Sequence, residues 1–300
     1  MGNLGETFSA VINLYEALKN FPNLSKQLYC KGMLFTNYEC PQMVSKTRFY
    51  IECNYIAYVI SGRRIFHKNE NSWELKEGTC LFVKNGTIIS EKPKDEDWCV
   101  MVFFVPEPFL KQLTIENKTA LQENSRNVVA DDMVIPLDVN ELSKSFFVSM
   151  LPYFTQSPPP PESLLELKFK ELVLSLLTNE KNRAFLSYLN NLNNGNTPSL
   201  EEIMYNNFSF KLSIEEYAKL ACKSVPTFKR EFRRVFNDSP AKWVMKQRLN
   251  LASRLLENSK LSISEIGYEC GFENQTHFSR VFKEKMGMAP LQFRNNLQAV

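Results

Sequence analysis

The sequence predicts an α+β protein, with a β-rich N-terminal region followed by an all-α C-terminal region. Three observations lead to this prediction: short strand-like runs between about residues 28 and 105, two helical segments within about residues 138–178, and a helical pattern that occurs twice after residue 200. The chain has 300 residues, of which 44% are hydrophobic and 23% are charged, which is typical of globular proteins with two domains.

The strand-like runs are rich in β-branched and aromatic residues and are separated by turn signals. The run Tyr55–Ile60 ends at Ser61-Gly62, and the stretch Trp73–Ile89 contains Gly78 and the pair Asn85-Gly86. The uninterrupted apolar run Trp98–Val105 predicts a strand that is buried on both faces. Short strands at regular spacing indicate a small barrel or sandwich.

A helical hairpin is predicted after the strands. Asp138–Phe154 and Leu164–Leu177 both show helical periodicity, and four consecutive prolines lie between them. Prolines cannot continue a helix, so the connection is a stiff turn. An ordinary packing element and a dimer interface are both open interpretations of this hairpin.

Composition argues against an enzyme, a metal protein and a membrane protein. The chain has seven cysteines without a Cys-x-x-Cys pair and only two histidines, which indicates free thiols in a reducing compartment, no metal and no cofactor. The longest apolar run is far shorter than the ~20 residues that cross a bilayer. The N-terminus does not resemble a signal peptide, so we expect a cytoplasmic protein. An amphipathic helix is predicted there from Leu4, Phe8, Val11, Ile12, Tyr15 and Leu18.

The C-terminal region is basic and contains an internal duplication. From residue 195 onward there are 16 Lys and Arg against 11 Asp and Glu, which favours a polyanionic partner. Ser213–Glu216 and Ser262–Glu265 are both Ser-x-x-Glu capping boxes, so each predicts the start of a helix. Turns are predicted at Cys222–Ser224 and around Gly271, and Ser224 or Val225 and then Asn274 would cap the helices that follow.

The second helix of each copy repeats the same side chains 50 residues apart. Phe228, Phe232 and Phe236 correspond to Phe278, Phe282 and Met286, and Arg230 corresponds to Arg280. The aromatic positions lie on one face and are expected to be buried. The basic and polar positions point elsewhere.

The segments SVPTFKREFRRVFNDSPAKWVMKQRLNLASRLL and ISEIGYECGFENQTHFSRVFKEKMGMAPLQFR resemble the DNA-binding domain of the AraC/XylS family of bacterial transcription regulators. The resemblance covers about the last 90 residues and includes two helix-turn-helix motifs with the helix between them, at about residues 241–257. It implies that two helices enter successive major grooves, about 34 Å apart. The expected packing face of the linking helix is Trp243, Leu249, Ala252, Leu255 and Leu256.

The resemblance also implies which residues contact DNA. Arg and Gln suit guanine and adenine edges, whereas Lys, Ser and Thr suit phosphates. Two departures from the family pattern are Asn237, where glycine is usual, and Pro226, which has no backbone donor and offers only apolar contact. A solvated helix face is the structural alternative for each position. The expected DNA-binding residues are Pro226, Thr227, Lys229, Arg230, Arg233, Gln275, Thr276, His277, Ser279 and Arg280.

For the N-terminal region, LKEGTCLFVKNGT resembles the strand pair of cupin-like β-barrels, which often bind a small effector in this family. Three uses of the region stay open: binding of a small molecule, binding of a regulatory protein, and dimerisation. Core packing is the alternative for each named residue. The candidate effector-binding residues are Tyr58, Arg63, Arg64, Phe66 and Trp73.

The sequence therefore predicts an N-terminal regulatory or dimerisation domain (residues 1–190), a linker (residues 191–200) and a DNA-binding domain (residues 201–300). The expected function is promoter binding as a homodimer, with activation through RNA polymerase as the family implies. Two other classes stay open at this point: a barrel that binds or converts a metabolite, and a protein-binding adaptor with degenerate DNA-binding motifs.

Overall fold

A computed structural model describes residues 11–20, 25–40, 46–69, 71–93, 97–117, 132–193 and 198–298. Residues 13–197 form one compact unit, and residues 198–300 lie in a second. We refer to them as the N-terminal unit and the C-terminal unit. The first contains both β-sheets, and the second is entirely helical in its described part. This arrangement confirms the predicted α+β class.

One sheet of the N-terminal unit has six strands in the order β11-β8-β5-β10-β3-β2. The neighbouring strands pair antiparallel, and in the centre of the sheet Val102 lies opposite Thr36 on one side and Ala57 on the other. The strands are β2 (Ser25–Cys30), β3 (Met33–Cys40), β5 (Tyr55–Ser61), β8 (Cys80–Val83), β10 (Trp98–Phe104) and β11 (Val134–Leu137).

The second sheet has five strands in the order β1-β4-β9-β6-β7. In its register Phe66 lies opposite Trp73 on one side and Ser90 on the other, so these side chains share a face. The strands are β1 (Val11–Asn13), β4 (Lys46–Ile51), β6 (Arg63–Lys68), β7 (Asn71–Lys76) and β9 (Gly86–Glu91).

Alternate residues of the six-stranded sheet enter two different cores. On β10, Val100 and Val102 pack against the five-stranded sheet, whereas Met101 and Phe103 pack against helices. Because side chains alternate along a strand, a sheet covered on both faces needs apolar residues at every position. This explains the uninterrupted apolar run predicted to be a buried strand.

Four helices cover the outer face of the six-stranded sheet. Their aromatic residues stack on those of the strands, as in the pair Phe35 and Phe169, whose ring centroids are 5.3 Å apart. The predicted hairpin corresponds to the second and third of them. The helices are α2 (Glu107–Glu116), α3 (Glu141–Met150), α4 (Glu162–Leu177) and α5 (Arg183–Asn193), with short 3-10 turns at Pro152–Thr155 and Glu180–Asn182.

Of the barrel and the sandwich that the sequence left open, the described strands form two facing sheets without a closed barrel. Two other features of the N-terminal unit differ from the sequence-based expectation. The predicted N-terminal helix is confirmed only for α1 (Leu14–Asn20), because Val11–Asn13 is a strand beside β4; Leu4 and Phe8 lie outside the described residues. Helices α2 and α5 were not predicted. Pairing with a neighbouring strand overrides local periodicity when the partner is distant in sequence.

The C-terminal unit consists of helices that surround two aromatic-rich cores. The long helix α9 contributes Trp243 to the first core and Leu249, Ala252 and Leu256 to the second, which confirms the predicted linking helix; Leu255 packs there while partly exposed. The helices are α6 (Leu200–Asn207), α7 (Ile214–Leu220), α8 (Val225–Phe236), α9 (Pro240–Asn258), α10 (Ile263–Glu269), α11 (Gln275–Met286) and α12 (Pro290–Gln298).

The segment predicted to be a linker begins inside a helix, because α5 continues to Asn193. The next described helix, α6, starts at Leu200 and is capped by Ser199 and Glu202. Within the described part of the chain, no helix is both long and apolar enough to cross a membrane.

Candidate nucleic-acid interface

Both helix-turn-helix motifs begin with a closed capping box. In the first motif (α7 and α8), the Ser213 hydroxyl accepts from the Glu216 amide at 3.2 Å, and the Glu216 carboxylate accepts from the Ser213 amide at 2.7 Å. In the second motif (α10 and α11), Ser262 and Glu265 make the same pair of bonds at the same distances. These bonds satisfy amides that a helix start leaves unpaired. The predicted duplication therefore exists in three dimensions.

The second helix of each motif has its own cap. The Ser224 side chain accepts from the Thr227 amide at 3.4 Å, and the Asn274 side chain accepts from the His277 amide at 2.8 Å. Asn274 was predicted, and of the two residues considered for α8 the structure selects Ser224. The caps orient the first turns of α8 and α11, which carry half of the predicted DNA contacts.

The aromatic stripe of each second helix faces inward. Phe228, Phe232, Phe278 and Phe282 are fully buried in the two cores. Residues on the opposite side of a helix must then face outward. We call α8 and α11 the recognition helices.

On the first recognition helix, four predicted DNA contacts are exposed and one is half-buried. The half-buried one is Thr227, whose hydroxyl accepts from the Ser224 hydroxyl at 2.9 Å and so extends the helix cap. Pro226 occupies the second position of the helix, where its missing amide proton breaks no helical bond. The exposed set is Pro226, Lys229, Arg230 and Arg233.

On the second recognition helix, three predicted contacts are exposed and two are half-buried. His277 packs edge-on against Phe272 with ring centroids 5.7 Å apart, so one of its faces is part of the fold. Ser279 is the other half-buried residue. The exposed set is Gln275, Thr276 and Arg280.

The exposed cations of the recognition helices are available for a ligand. In the described part of the chain, Lys229, Arg230, Arg233 and Arg280 make no ion pair with a carboxylate. The one acidic residue of α8, Glu231, is held by Lys223 at 2.9 Å. Each recognition helix therefore presents a positively charged outer face, as phosphate binding requires.

Left-handed residues end both recognition helices. Asn237 has φ 50° and ψ 30°, and Gly287 has φ 79°. The prediction that Asn237 adopts this conformation in place of glycine is confirmed. Asparagine tolerates it better than most residues, so the turn survives the substitution.

Comparison with known proteins agrees with this geometry. A model of the ExsA N-terminal regulatory domain matches residues 54–188, and a helix-turn-helix domain model matches residues 217–296. The virulence regulon transcriptional activator VirF of Yersinia enterocolitica is 25% identical over 79% of this chain and 87% of its own length. The regulator ExsA of Pseudomonas aeruginosa is 24% identical over 80% of this chain and 85% of its own. Residues 54–188 and 217–296 thus match the two domains of AraC-family transcription regulators.

Solved structures also match most of this chain. An apo form of ToxT from Vibrio cholerae covers 88% of this chain and 97% of its own, at 14% identity and a TM-score of 0.43. These matches identify a DNA-binding transcription regulator with an N-terminal regulatory region.

The five candidate effector residues do not form one site. Tyr58 faces the helices and stacks on Phe147 with ring centroids 4.0 Å apart. Arg63 points outward and pairs with Glu74 at 2.7 Å. The remaining three, Arg64, Phe66 and Trp73, lie on the inner face of the five-stranded sheet. Arg63 and Arg64 lie on opposite faces because successive side chains alternate along a strand.

Arg64 is a cation buried between the two sheets, with a relative exposure of 7%. Its Nη1 donates to the Ser90 hydroxyl at 3.1 Å, and its guanidinium lies 5.1 Å from the centre of the Trp98 ring. Its Nε has no acceptor among the described residues. The sequence analysis did not identify Ser90 and Trp98 as neighbours of Arg64. For Ser90 a signal was available, because the residues after the turn at Gly86 alternate between the two faces of a strand.

Other polar groups in the N-terminal unit are also buried. Burial lowers the pKa of Lys68 to about 7, and its ammonium donates to the Thr87 hydroxyl at 2.8 Å. Burial raises the pKa of Tyr55, with Arg64 opposing the shift. Among the described residues, no group of three or more His, Cys, Asp or Glu side chains is placed to hold a metal ion.

Proposed function

We propose that this regulator binds promoter DNA through α8 and α11 in successive major grooves on one face of the duplex. The observation that carries the proposal is the pair of outward, basic recognition helices whose arginines, Arg230 and Arg280, recur 50 residues apart. Helix α9, with 19 residues, is about 28 Å long and joins the two motifs. That length is close to the ~34 Å of one DNA turn.

The proposed roles follow from side-chain chemistry. Arg230 and Arg280 read guanine by forked hydrogen bonds, and Gln275 reads adenine. Lys229 and Arg233 bind phosphates and set the register. Thr276, Thr227, Ser279 and His277 supply shorter contacts to phosphate or base edges, and Pro226 offers apolar contact only.

We further propose that the protein activates transcription by contacting RNA polymerase at the promoters it binds. VirF is named as a transcriptional activator and is similar over most of this chain. The proposal includes a cytoplasmic location, where promoter DNA is accessible to the regulator. Its effect on transcription is measured with a reporter on a selected promoter, and repression there would contradict activation.

The experiment that tests DNA binding is selection of genomic fragments by the purified full chain at 50 and 200 mM salt. We expect a motif of two half-elements about one helical turn apart, and affinity that falls by about a thousandfold or more between the two salts. The variant Arg230→Ala with Arg280→Ala is expected to lose the motif. Arg254→Ala, an exposed arginine of α9, is the matched control.

Two results would contradict the proposal. If the double arginine variant selected the same motif, the assignment of reading residues would be wrong. Weak binding without a motif and with little salt dependence would favour the adaptor alternative, since phosphate contacts make affinity depend steeply on salt.

A second function, binding of an organic anion between the two sheets, is favoured by the surroundings of Arg64. Burying a guanidinium with one hydrogen bond and an unpaired Nε costs folding free energy, unless an anion binds to it and accepts the remaining hydrogen bonds. Phe66, Trp73 and Trp98 would hold an apolar body, so the expected ligand is an amphipathic carboxylate. A regulatory protein remains the alternative effector.

Thermal shift measurements with decanoate and decanol test this second function. We expect decanoate alone to raise the melting temperature, and Arg64→Met to abolish the effect. Arg63→Met is the control, because Arg63 is the adjacent arginine on the outer face. An equal response to both probes would indicate that Arg64 does not recognise the carboxylate.

We propose that the regulator dimerises through the hairpin of α3 and α4. This surface exposes large apolar side chains: Leu142 at 69%, Val148 at 62% and Leu167 at 64%. Exposed apolar residues of this kind mark interaction sites when they cluster. Sedimentation of the variant Leu142→Glu with Leu167→Glu is expected to show monomers, and an unchanged dimer would place the interface elsewhere.

A further inference from the structure

The segment before the first helix-turn-helix motif contacts the turn of the second motif, beside helix α9. The contact lies between residues 208–211, which precede the first motif, and residues 271–273, which form the turn of the second motif. We call this contact the motif seam. Its members are separated by about 60 residues in sequence, so only the fold brings them together.

Arg248 of α9 lies at the centre of the motif seam. Its Nε donates to the Phe208 carbonyl at 2.8 Å, and its Nη2 donates to the Phe210 carbonyl at 2.9 Å. Its Nη1 donates to the Gly271 carbonyl at 2.9 Å. One planar guanidinium thus binds carbonyls of the segment before the first motif and of the turn of the second motif, and its rigid fork allows little change in their separation.

Backbone packing closes the seam around Arg248. Gly271 has φ +85°, and a Cβ atom at this position would collide with the Ser209 carbonyl while lying 3.1 Å from the Arg248 guanidinium carbon. Glycine alone permits both the left-handed conformation and this close approach. The turn of the second motif therefore rests directly on the segment before the first.

An ion pair covers the outer side of the seam. Lys211 binds Glu273, and this hydrogen bond holds the pKa of Glu273 below its ordinary value. Both side chains are about half exposed, so the pair contributes little by itself. The ion pair spans the same contact as Arg248 and so favours a closed motif seam.

We infer that Arg248 is a positioning residue that fixes the angle and separation of the two recognition helices, and so sets the distance between the two half-elements that the protein accepts. The inference rests on the proposed binding of DNA by both motifs. Helix α9 packs into one core at each of its ends. Arg248 adds a second connection, because it bonds the segment before the first motif to the turn of the second motif. Arg248 belongs to neither apolar core, so its substitution leaves the apolar contacts within each motif in place.

DNA geometry makes this role measurable. Adding one base pair between the half-elements moves the second by ~3.4 Å and rotates it by about 35° around the duplex axis. With the Arg248 hydrogen bonds in place, the two recognition helices cannot follow this change without losing contacts to DNA. If α9 is the remaining connection between them, their separation can adjust.

The test uses the full chain and synthetic duplexes that carry the selected half-elements with zero, one or two base pairs added or removed. We expect the natural protein to prefer the optimal separation over the one-base-pair insertion by at least about tenfold, and Arg248→Gln to reduce that ratio to about twofold. Affinity for a single half-element should stay within about twofold. Arg294→Gln is the control, because Arg294 of α12 donates to one carbonyl, that of Leu261 just before α10, and does not cross the seam.

Each outcome decides the inference. An unchanged spacing ratio, or an equal loss in the Arg294→Gln control, would overturn it. Arg248→Lys is the second variant if Arg248→Gln does not fold, since it retains the charge and the stem but not the fork; if neither folds, Arg248 serves stability and the inference is wrong. If the natural protein selects no paired motif at all, the proposed function fails instead.

Discussion

The two helix-turn-helix motifs have nearly the same local design but different surroundings at the turn between their helices. Cys222 occupies the left-handed position of the first turn with φ 52° and is exposed. Gly271 occupies the same position of the second turn with φ +85° and is buried against Ser209 and Arg248. The comparison teaches that a shared motif fixes backbone conformation, whereas tertiary packing decides which side chain is tolerated there.

The motifs also differ where they face DNA. The first has Pro226 where the second has Thr276, so one can offer only an apolar contact and the other a hydroxyl. The first ends its recognition helix at Asn237 and the second at Gly287. We therefore expect the second motif to read more of the sequence and the first to contribute more general affinity.

The largest expected effect concerns the buried turn. Gly271→Ala should destabilise the second motif by more than about 3 kcal/mol, since left-handed strain of ~1–2 kcal/mol adds to a collision with the Ser209 carbonyl. Gly287→Ala should cost only the strain, because nothing lies within 4 Å of a Cβ atom there. Hydrogen exchange of the α10 and α11 amides in the full chain measures both changes. Equal losses would show that the seam does not crowd Gly271.

The second prediction compares the two recognition arginines. Arg280→Ala should lower discrimination against a wrong base pair in its half-element by about 10- to 100-fold, the worth of one forked guanine contact. Arg230→Ala should reduce discrimination less and reduce affinity for all sequences more evenly. Competition binding with matched and mismatched duplexes separates these effects. If Arg230→Ala had the larger effect on discrimination, the first motif would be the principal reader.

The smallest expected effect concerns the helix end at Asn237. Asn237→Gly should change stability by no more than about 0.5 kcal/mol, because both residues accept the left-handed conformation. Asn237→Ala should cost about 1 kcal/mol for the same backbone. Thermal unfolding followed by the fluorescence of Trp243, which packs against Phe236 at 4.8 Å, reports this site. A large loss in Asn237→Gly would mean that the asparagine side chain itself stabilises the turn.

Local signals were sufficient for most of the C-terminal unit. The capping boxes at Ser213 and Ser262, the cap at Asn274 and the inward aromatic stripes all occur where the sequence predicts them. The same signal is present at Ser199 and Glu202, and the structure shows that it starts α6 as well. These features are predictable because they depend on residues within one or two helical turns of each other.

The N-terminal unit shows where such signals stop. The runs of β-branched residues predict strands, yet they do not show that β1 joins β4 or that β11 joins β8. Of the candidate effector residues, strand alternation directs Arg64 inward and Arg63 outward, and only the sheet pairing identifies Ser90 and Trp98 as the neighbours of Arg64. Pairings between distant strands depend on topology rather than on local propensity.

The sequence by itself determined the fold class, the two helix-turn-helix motifs, their caps and the residues that their recognition helices present. Only the tertiary structure decided that the β region is two facing sheets, that Arg64 is buried between them, and that Arg248 bonds the segment before the first motif to the turn of the second. The physical reason is the range of the interactions. Caps and helical periodicity act over three or four residues, whereas the motif seam joins carbonyls at Phe208 and Gly271, which the chain separates by more than sixty residues and which meet only when both cores have formed.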